Sequence, residues 1–142
     1  MVQNDSLYSR NRHSCFNLQY HLILVTKYRK PAISDEVFQT IQDSIIKILD
    51  INKCELIVLN HDHDHIHLLF NAPPQIQLSS MINSIKTVTS RIVRRDHSQW
   101  LAQFYWKPVF WSRSYFICSV GDVTTAIVEA YIENQRFGER EN

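Results

Sequence analysis

The chain has few of the residues that interrupt or cross-link a fold. Of its 142 residues only 2 are Gly, 4 are Pro and 3 are Cys. This scarcity excludes a collagen-like or low-complexity chain, and a composition with 44% hydrophobic and 20% charged residues is that of an ordinary globular protein. We therefore expect a single domain over residues 1–142, which is long enough to bury a proper core.

The cysteines are isolated from one another in the sequence. Cys15, Cys54 and Cys118 form no C-x-x-C pair, and their number is odd. This arrangement argues against a disulfide framework, and each residue lies in an apolar context that is typical of a buried thiol. We expect three reduced cysteines in a cytoplasmic protein.

Long apolar runs and strong net charge are also missing. No run approaches the length of a membrane span, and the first fifteen residues are too polar for a secretory signal. We therefore expect no membrane contact. The formal net charge is only +1, so a nucleic-acid partner cannot be argued from overall charge and would have to be met by local basic clusters.

Hydrophobic periodicity predicts seven elements in the order β-α-β-β-α-β-α. The first six have the order of a ferredoxin-like α+β fold, in which two helices cover one face of an antiparallel sheet. The seventh is an additional C-terminal helix, free to cover the opposite face or to reach a partner. Residues 1–14 are expected to form a loose arm and residues 138–142 a polar tail. The predicted strands are Phe16–Thr26, Cys54–Asn60, His65–Phe70 and Tyr115–Val120, and the predicted helices run from Ser34 or Asp35 to about Asp50, from Leu78 to about His97, and, after a turn at Gly121 and Asp122, from Val123 to about Phe137.

Four of the seven histidines fall within residues 60–69. Because side chains alternate along a strand, His65 and His67 project together, while Ile66, Leu68 and Phe70 line the other face. Two neighbouring imidazoles are half of a metal site and need further ligands from elsewhere. The spacing alone leaves open that these histidines are structural or simply exposed.

The last predicted helix carries Tyr131 and Gln135, which are four residues apart and therefore adjacent on one face. A glutamine carbonyl oxygen is an acceptable ligand for Mg²⁺ or Mn²⁺, and a tyrosine supplies a phenol nucleophile. Docked over the histidine pair, this helix would complete a metal site of His65, His67 and Gln135 beside Tyr131. The residues alone leave open that Tyr131 is a packing aromatic and that Gln135 is a solvated surface residue.

In these two motifs the sequence resembles the single-tyrosine HUH transposases of prokaryotic insertion sequences. Asp64 followed by His65-Ile66-His67 is similar to their His-hydrophobic-His motif, and Tyr131 to Gln135 matches their Tyr-x-x-x-Gln motif. Further likeness covers roughly residues 17–137 in collinear order. It includes Tyr20-His21-Leu22-Ile23 leading to Lys27-Tyr28-Arg29, and Trp111-Ser112-Arg113-Ser114-Tyr115-Phe116 leading to Ser119-Val120-Gly121.

The resemblance implies a metal-dependent transposase that cleaves and rejoins single-stranded DNA at insertion-sequence ends. In this interpretation His65, His67 and Gln135 bind a divalent ion, Mg²⁺ or Mn²⁺, and Tyr131 forms a 5′-phosphotyrosine intermediate. The substrate is expected to be hairpin-containing element ends. The resemblance also implies a homodimer in which Tyr131 of one subunit serves the histidine pair of the other.

DNA binding is expected to use local basic clusters, although any of these side chains is equally compatible with an ordinary solvated face. Aromatic residues interleaved with Lys107 and Arg113 are candidates for stacking on unpaired bases, although most of that stretch is expected to be core. The candidate phosphate contacts are Lys27, Arg29, Lys30, Lys86, Arg91, Arg94 and Arg95.

Three alternatives remain open from the sequence. A phosphoesterase with paired His motifs needs a second motif that is not seen here. A non-catalytic RNA- or single-strand-binding module uses the same fold, with aromatics instead of histidines on its sheet. A domesticated relative acting on repeated chromosomal palindromes would share the chemistry. The run His61-Asp62-His63-Asp64 departs from the family pattern and leaves open an extra role for His63, which shares strand parity with His65 and His67, but we expect His63 to be a hairpin residue.

Overall fold

The secondary structure follows the predicted order of elements. The computed structural model describes the backbone of residues 9–10, 15–119 and 125–138. A 3₁₀ turn, Lys27–Arg29, follows the third strand. In chain order the strands and α-helices are β1 (Ser9–Arg10), β2 (Cys15–Phe16), β3 (Gln19–Val25), α1 (Asp35–Ile51), β4 (Glu55–His61), β5 (His65–Asn71), α2 (Leu78–Asp96), α3 (Ser98–Leu101), β6 (Phe116–Ser119) and α4 (Thr125–Gly138).

Four of the strands form one antiparallel sheet in the order β4-β5-β3-β6. This order, with its two crossover helices, is that of a ferredoxin-like α+β fold, as the sequence predicts. The register places Val25 opposite His65 and Ile23 opposite His67. The two histidines of β5 therefore share a face of the sheet with Ile23 and Val25.

The other face of the sheet carries the main core. Leu22 and Leu24 of β3 and Ile66, Leu68 and Phe70 of β5 are fully buried there against α1 and α2. The Ser34 hydroxyl caps α1 by accepting a hydrogen bond from the Val37 N–H at 3.1 Å. The helical residues with zero exposure in this core are Val37, Ile41 and Ile45 of α1 and Ile82, Ile85 and Val93 of α2.

The additional helix α4 docks on the histidine face. Its Ile132 is only 6% exposed and packs on Ile23 and Val25, with Phe116 and Tyr131 against the same small cluster. The C-terminal helix thus covers the face that the two standard helices leave open, which is one of the two arrangements that the sequence allows.

The N-terminal segment differs from expectation. The long first strand begins at Gln19 rather than at Phe16, because Cys15 and Phe16 pair with Ser9 and Arg10 instead. Part of the predicted loose arm is therefore paired. The predicted turn at Gly121 and Asp122, the ends of the flanking elements at residues 120 and 123–124, and tail residues 139–142 lie outside the described residues.

Burial of the cysteines and aromatic residues is more varied than the sequence suggests. Cys54 and Cys118 form no disulfide, as expected, but both are half-buried rather than buried. Tyr105, Phe110 and Trp111 do enter the core.

No helix in the part of the chain that the structure describes is long and apolar enough to cross a membrane.

Candidate active site

The β4–β5 hairpin positions His65 through the residue before it. The Nδ1 of His65 lies 2.8 Å from Oδ1 of Asp64, whose other oxygen accepts a hydrogen bond from Arg29 Nε at 2.7 Å. An ionised carboxylate can only accept, so Nδ1 of His65 is the protonated nitrogen. Its Nε2 is then left as a lone-pair donor, which is the form of imidazole that binds a metal.

Asp64 is held in its ionised form. Burial acts to raise the pKa of this carboxyl, but the hydrogen bonds from His65 and Arg29 outweigh burial and leave the pKa below its ordinary value of 3.8. The negative charge on Asp64 therefore persists at neutral pH, and with it the orientation of the His65 ring.

His67 has a neighbour that sequence reasoning missed. Its Nε2 lies 2.6 Å from Nδ1 of His21 on β3, and the two ring centroids are 4.9 Å apart. Burial, followed by the charges of His21 and His65, lowers the pKa of His67 below 6.5. His67 is therefore neutral at physiological pH, as a metal ligand must be. Only the β3–β5 register, which the sequence does not display, brings His21 to this position.

A cavity of about 450 Å³ lies where α4 meets the hairpin. Arg29 spans it, since its Nη1 donates to Oε2 of Glu133 at 2.7 Å while its Nε binds Asp64. A continuous chain of contacts thus runs from Glu133 on α4 through Arg29 and Asp64 to His65. The cavity is lined by Arg29, Asp62, His63, Asp64, His65, Glu129, Ile132 and Glu133.

Tyr131 and Gln135 lie on the side of Ile132 that is opposite to the cavity. The Tyr131 hydroxyl lies 3.0 Å from Ser114 Oγ, and its ring centroid is 5.4 Å from that of Phe116. The Gln135 carbonyl oxygen accepts a hydrogen bond from the buried Ser112 hydroxyl at 2.5 Å. Neither side chain is among the described residues that line the cavity.

The predicted site is therefore brought together in part. One subunit places His65, His67 and the tyrosine-bearing helix on the same side of the sheet, but the contacts above direct Tyr131 and Gln135 to the two serines. Among the described residues, no three His, Cys, Asp or Glu side chains are grouped closely enough to hold a metal ion by themselves. The metal set of His65, His67 and Gln135 remains a prediction.

The other histidines of the hairpin have structural surroundings. The ring of His61 stacks on Phe38 of α1 with a centroid distance of 4.1 Å. His63 lies in the hairpin bend with 73% of its side chain exposed, and its carbonyl accepts a hydrogen bond from the Ile33 N–H. His63 is thus a hairpin residue, as predicted.

The candidate DNA-contacting residues lie in two places. Lys27, Arg29 and Lys30 surround the 3₁₀ turn, whereas the remaining four lie on α2. Arg29 binds the carboxylates of Asp64 and Glu133 and so links elements of the fold, and its predicted contact with DNA stays a prediction. Three of the four side chains on α2 have local contacts: Lys86 with the Arg113 carbonyl, Arg94 with Ser90, and Arg95 with Asp96. The fourth, Arg91, is exposed at the surface.

Comparison with known proteins defines the class and then the family. The family model described as "Transposase IS200 like" matches residues 14–135. The protein with this ferredoxin-like sheet, its paired histidines and its tyrosine-bearing helix is therefore a transposase. The chain belongs to the IS200-like transposase family.

The relatives match over nearly their whole length. The chain is 32% identical over 126 residues to the ISDra2 transposase TnpA of Deinococcus radiodurans, covering 89% of each protein. It is 28% identical over 123 residues to the IS200 transposase of Salmonella typhimurium, covering 87% of this chain and 80% of that one.

Solved structures give the same result. A crystal structure of a candidate transposase from Deinococcus radiodurans R1 superposes with a TM-score of 0.80 at 33% identity, over 89% of this chain and 97% of the other. A REP-associated tyrosine transposase bound to a REP hairpin shares the fold, with a TM-score of 0.55 at 15% identity over 93% of this chain and 76% of that chain.

Proposed function

We propose that this transposase cleaves and rejoins single-stranded DNA at the ends of an insertion sequence, with Tyr131 as the nucleophile. The observation that carries the proposal is the docking of α4, which bears Tyr131 and Gln135, on the sheet face that bears His65 and His67. Membership of the IS200-like family supports DNA strand cleavage and rejoining as the activity. A binding module without catalysis needs no such pairing of a tyrosine helix with two histidines.

The proposed cofactor is Mg²⁺ or Mn²⁺, held by His65, His67 and Gln135. The donor chemistry fits, because Asp64 leaves Nε2 of His65 available and because His67 is neutral, although Nε2 of His67 would have to exchange its contact with His21 for the ion. When bound, such an ion polarises the scissile phosphate and neutralises charge that would repel the attacking oxygen. Binding through Gln135 requires its amide oxygen to exchange the Ser112 hydroxyl for the ion.

The chemistry assigned to Tyr131 is a transesterification. Its phenol oxygen attacks the phosphorus in line, the bond to the 3′-oxygen breaks, and that oxygen leaves as a 3′-OH after taking up a proton. The product is a 5′-phosphotyrosine on the protein. Because an unperturbed phenol has a pKa of about 10, Tyr131 must lose its proton to a nearby acceptor as it attacks.

Rejoining is the reverse of this step. A 3′-OH from another strand attacks the phosphotyrosine, the bond from phosphorus to the phenol oxygen breaks, and Tyr131 recovers its proton. The covalent ester conserves the energy of the phosphodiester, so no nucleoside triphosphate is needed. Reversible cleavage of this kind suits a transposase better than a nuclease.

We further propose that the active sites are composite and belong to a homodimer. Within one subunit Ile132 separates Tyr131 from the cavity beside His65, and Glu129 and Glu133 occupy the cavity side of α4. A tyrosine supplied by the partner subunit would reach the histidines without passing Ile132. The substrate is proposed to be DNA that contains a hairpin, in keeping with the REP hairpin bound by the structural relative.

The test is the formation of a covalent protein–DNA adduct. A single-stranded element end, labelled on its 3′ side, is incubated with protein and Mn²⁺, and the mixture is separated in SDS. We expect a labelled adduct with the wild type and none with Tyr131→Phe or without metal. Tyr20→Phe is the matched control, since Tyr20 packs on Phe70 and its ring is retained. An undiminished adduct with Tyr131→Phe would refute the assignment.

A further inference from the structure

Trp106 is unusually exposed for its size. It lies between α3 and β6 with 87% of its surface accessible, whereas Tyr105 and Phe110 in the same segment are buried. A large aromatic side chain gains by burial, and the exposed ring of Trp106 is accessible to a partner.

Lysine side chains surround this tryptophan and a nearby tyrosine. The Lys107 ammonium lies 5.7 Å from the Trp106 ring centroid and 5.6 Å from that of Tyr28, and the Lys27 ammonium lies 5.4 Å from Tyr28. We call Lys27, Tyr28, Trp106 and Lys107 the aromatic–lysine patch. It combines flat apolar rings with positive charge, in a chain whose net charge is only +1.

The backbone of the patch is strained and firmly held. Tyr28 and Arg29 have positive φ angles of 58° and 54°, which are costly for residues with a Cβ. The Tyr105 hydroxyl donates to the Lys27 carbonyl at 2.7 Å, and the Lys27 N–H donates to the Phe110 carbonyl at 2.8 Å. These bonds tie the turn to the segment that carries Trp106.

The same turn connects the patch to the catalytic cavity. Tyr28 contributes its ring to the patch, and the next residue, Arg29, lines the cavity and binds Asp64 beside His65. The patch and the cavity thus meet at two consecutive residues, Tyr28 and Arg29. Backbone strain persists where the surrounding structure holds the residues in place, and such strained residues cluster at functional sites.

We propose that the aromatic–lysine patch binds an unpaired nucleotide of single-stranded DNA next to the cleavage site. The base stacks on the exposed Trp106 ring, and the Lys27 and Lys107 ammonium groups meet the neighbouring phosphates. This site deepens the proposed function, on which it rests, by naming a contact that selects unpaired over paired DNA.

The test compares DNA affinities of exposed-residue variants by fluorescence anisotropy. The probes are a labelled oligothymidylate, which has no secondary structure, and a blunt duplex. We expect Trp106→Ala to weaken oligothymidylate binding about tenfold and duplex binding little, and Trp106→Phe to recover most of the affinity. Lys107→Gln should reduce the dependence of affinity on salt, whereas Trp106→Ala should not. Ile51→Ala, which removes another exposed side chain, is the matched control.

Each outcome decides the proposal. Wild-type affinity of Trp106→Ala for oligothymidylate, or an equal loss on both probes, would overturn it, as would a change in oligomeric state without a change in DNA affinity. If Trp106→Ala binds normally while the wild type still forms the Tyr131 adduct, the patch assignment fails and the proposed function stands. If the wild type binds no single-stranded DNA at all, both fail.

Discussion

At the scale of single residues, the contact between Asp64 and His65 sets the tautomer of one of the two proposed metal ligands. A carboxylate on the second nitrogen of a metal-binding imidazole fixes its tautomer and raises its basicity, and loss of such a partner commonly costs a factor of about 10 to 100 in metal affinity. Arg29 in turn keeps Asp64 ionised. The residue immediately before the motif is therefore expected to matter nearly as much as the histidines.

We expect Asp64→Ala to weaken Mn²⁺ binding by about 10- to 100-fold, measured by calorimetric titration. Asp62→Ala is the matched control, because Asp62 lines the same cavity but its carboxylate contacts His63. Equal affinities of Asp64→Ala and the wild type would show that Asp64 does not position His65.

The depressed pKa of His67 predicts a pH dependence of stability. The unfolded chain takes up a proton at this residue near pH 6.5, whereas the folded protein resists it, so the free energy of unfolding falls as pH drops below about 6.5. Thermal melting of metal-free protein between pH 8 and pH 5 should show this loss, and His67→Gln should reduce it. Identical pH profiles of melting for His67→Gln and the wild type would show that burial of His67 does not cause the loss of stability.

Residue-scale features were predictable where they depend on local order along the chain. Alternation alone places His65 and His67 on one face, and helical spacing places Tyr131 beside Gln135. The contacts of His21 with His67 and of Ser112 with Gln135 were not predictable, because each joins strands or loops whose register the sequence does not state.

At the scale of elements, the position of α4 depends more on an apolar anchor than on its ion pair. Ile132 is 6% exposed among Ile23 and Val25. The Glu133 side chain of the Arg29 pair is 55% exposed, so the pair contributes at most about 1 kcal/mol. Removing a buried isoleucine side chain typically costs about 2 to 5 kcal/mol.

We therefore expect Ile132→Ala to release α4, with a large rise in amide hydrogen exchange over residues 129–135. Glu133→Gln should leave exchange there nearly unchanged. Mass spectrometry after deuterium labelling distinguishes the two, and a larger effect from Glu133→Gln would mean that the ion pair, not the apolar contact, holds the helix.

The elements themselves were well predicted, since strong periodicity and the Ser34 cap mark their ends. The docking of α4 was predictable only as one of two arrangements, because a seventh element can cover the open sheet face or reach a partner. A turn after the first strand was predictable from Lys27 to Pro31, but the positive φ angles of Tyr28 and Arg29 and the pairing of Cys15–Phe16 with Ser9–Arg10 were not, because neither Gly nor a hairpin sequence marks them.

At the scale of the whole molecule, the separation of Tyr131 from the His65 cavity by Ile132 favours exchange of tyrosines between two subunits. Mixing His65→Ala protein with Tyr131→Phe protein should then restore cleavage, since one site of each heterodimer keeps both groups. The separate variants should be inactive. Stable heterodimers without cleavage would show that each site is assembled within one subunit.

The central claim concerns one covalent bond, and peptide mapping of the adduct tests it most directly. After digestion of the protein and the DNA, mass spectrometry should find a nucleotide remnant on the α4 peptide, attached through its 5′-phosphate to the oxygen of Tyr131. Attachment at any other residue, or cleavage of the strand without a covalent adduct, would contradict the account.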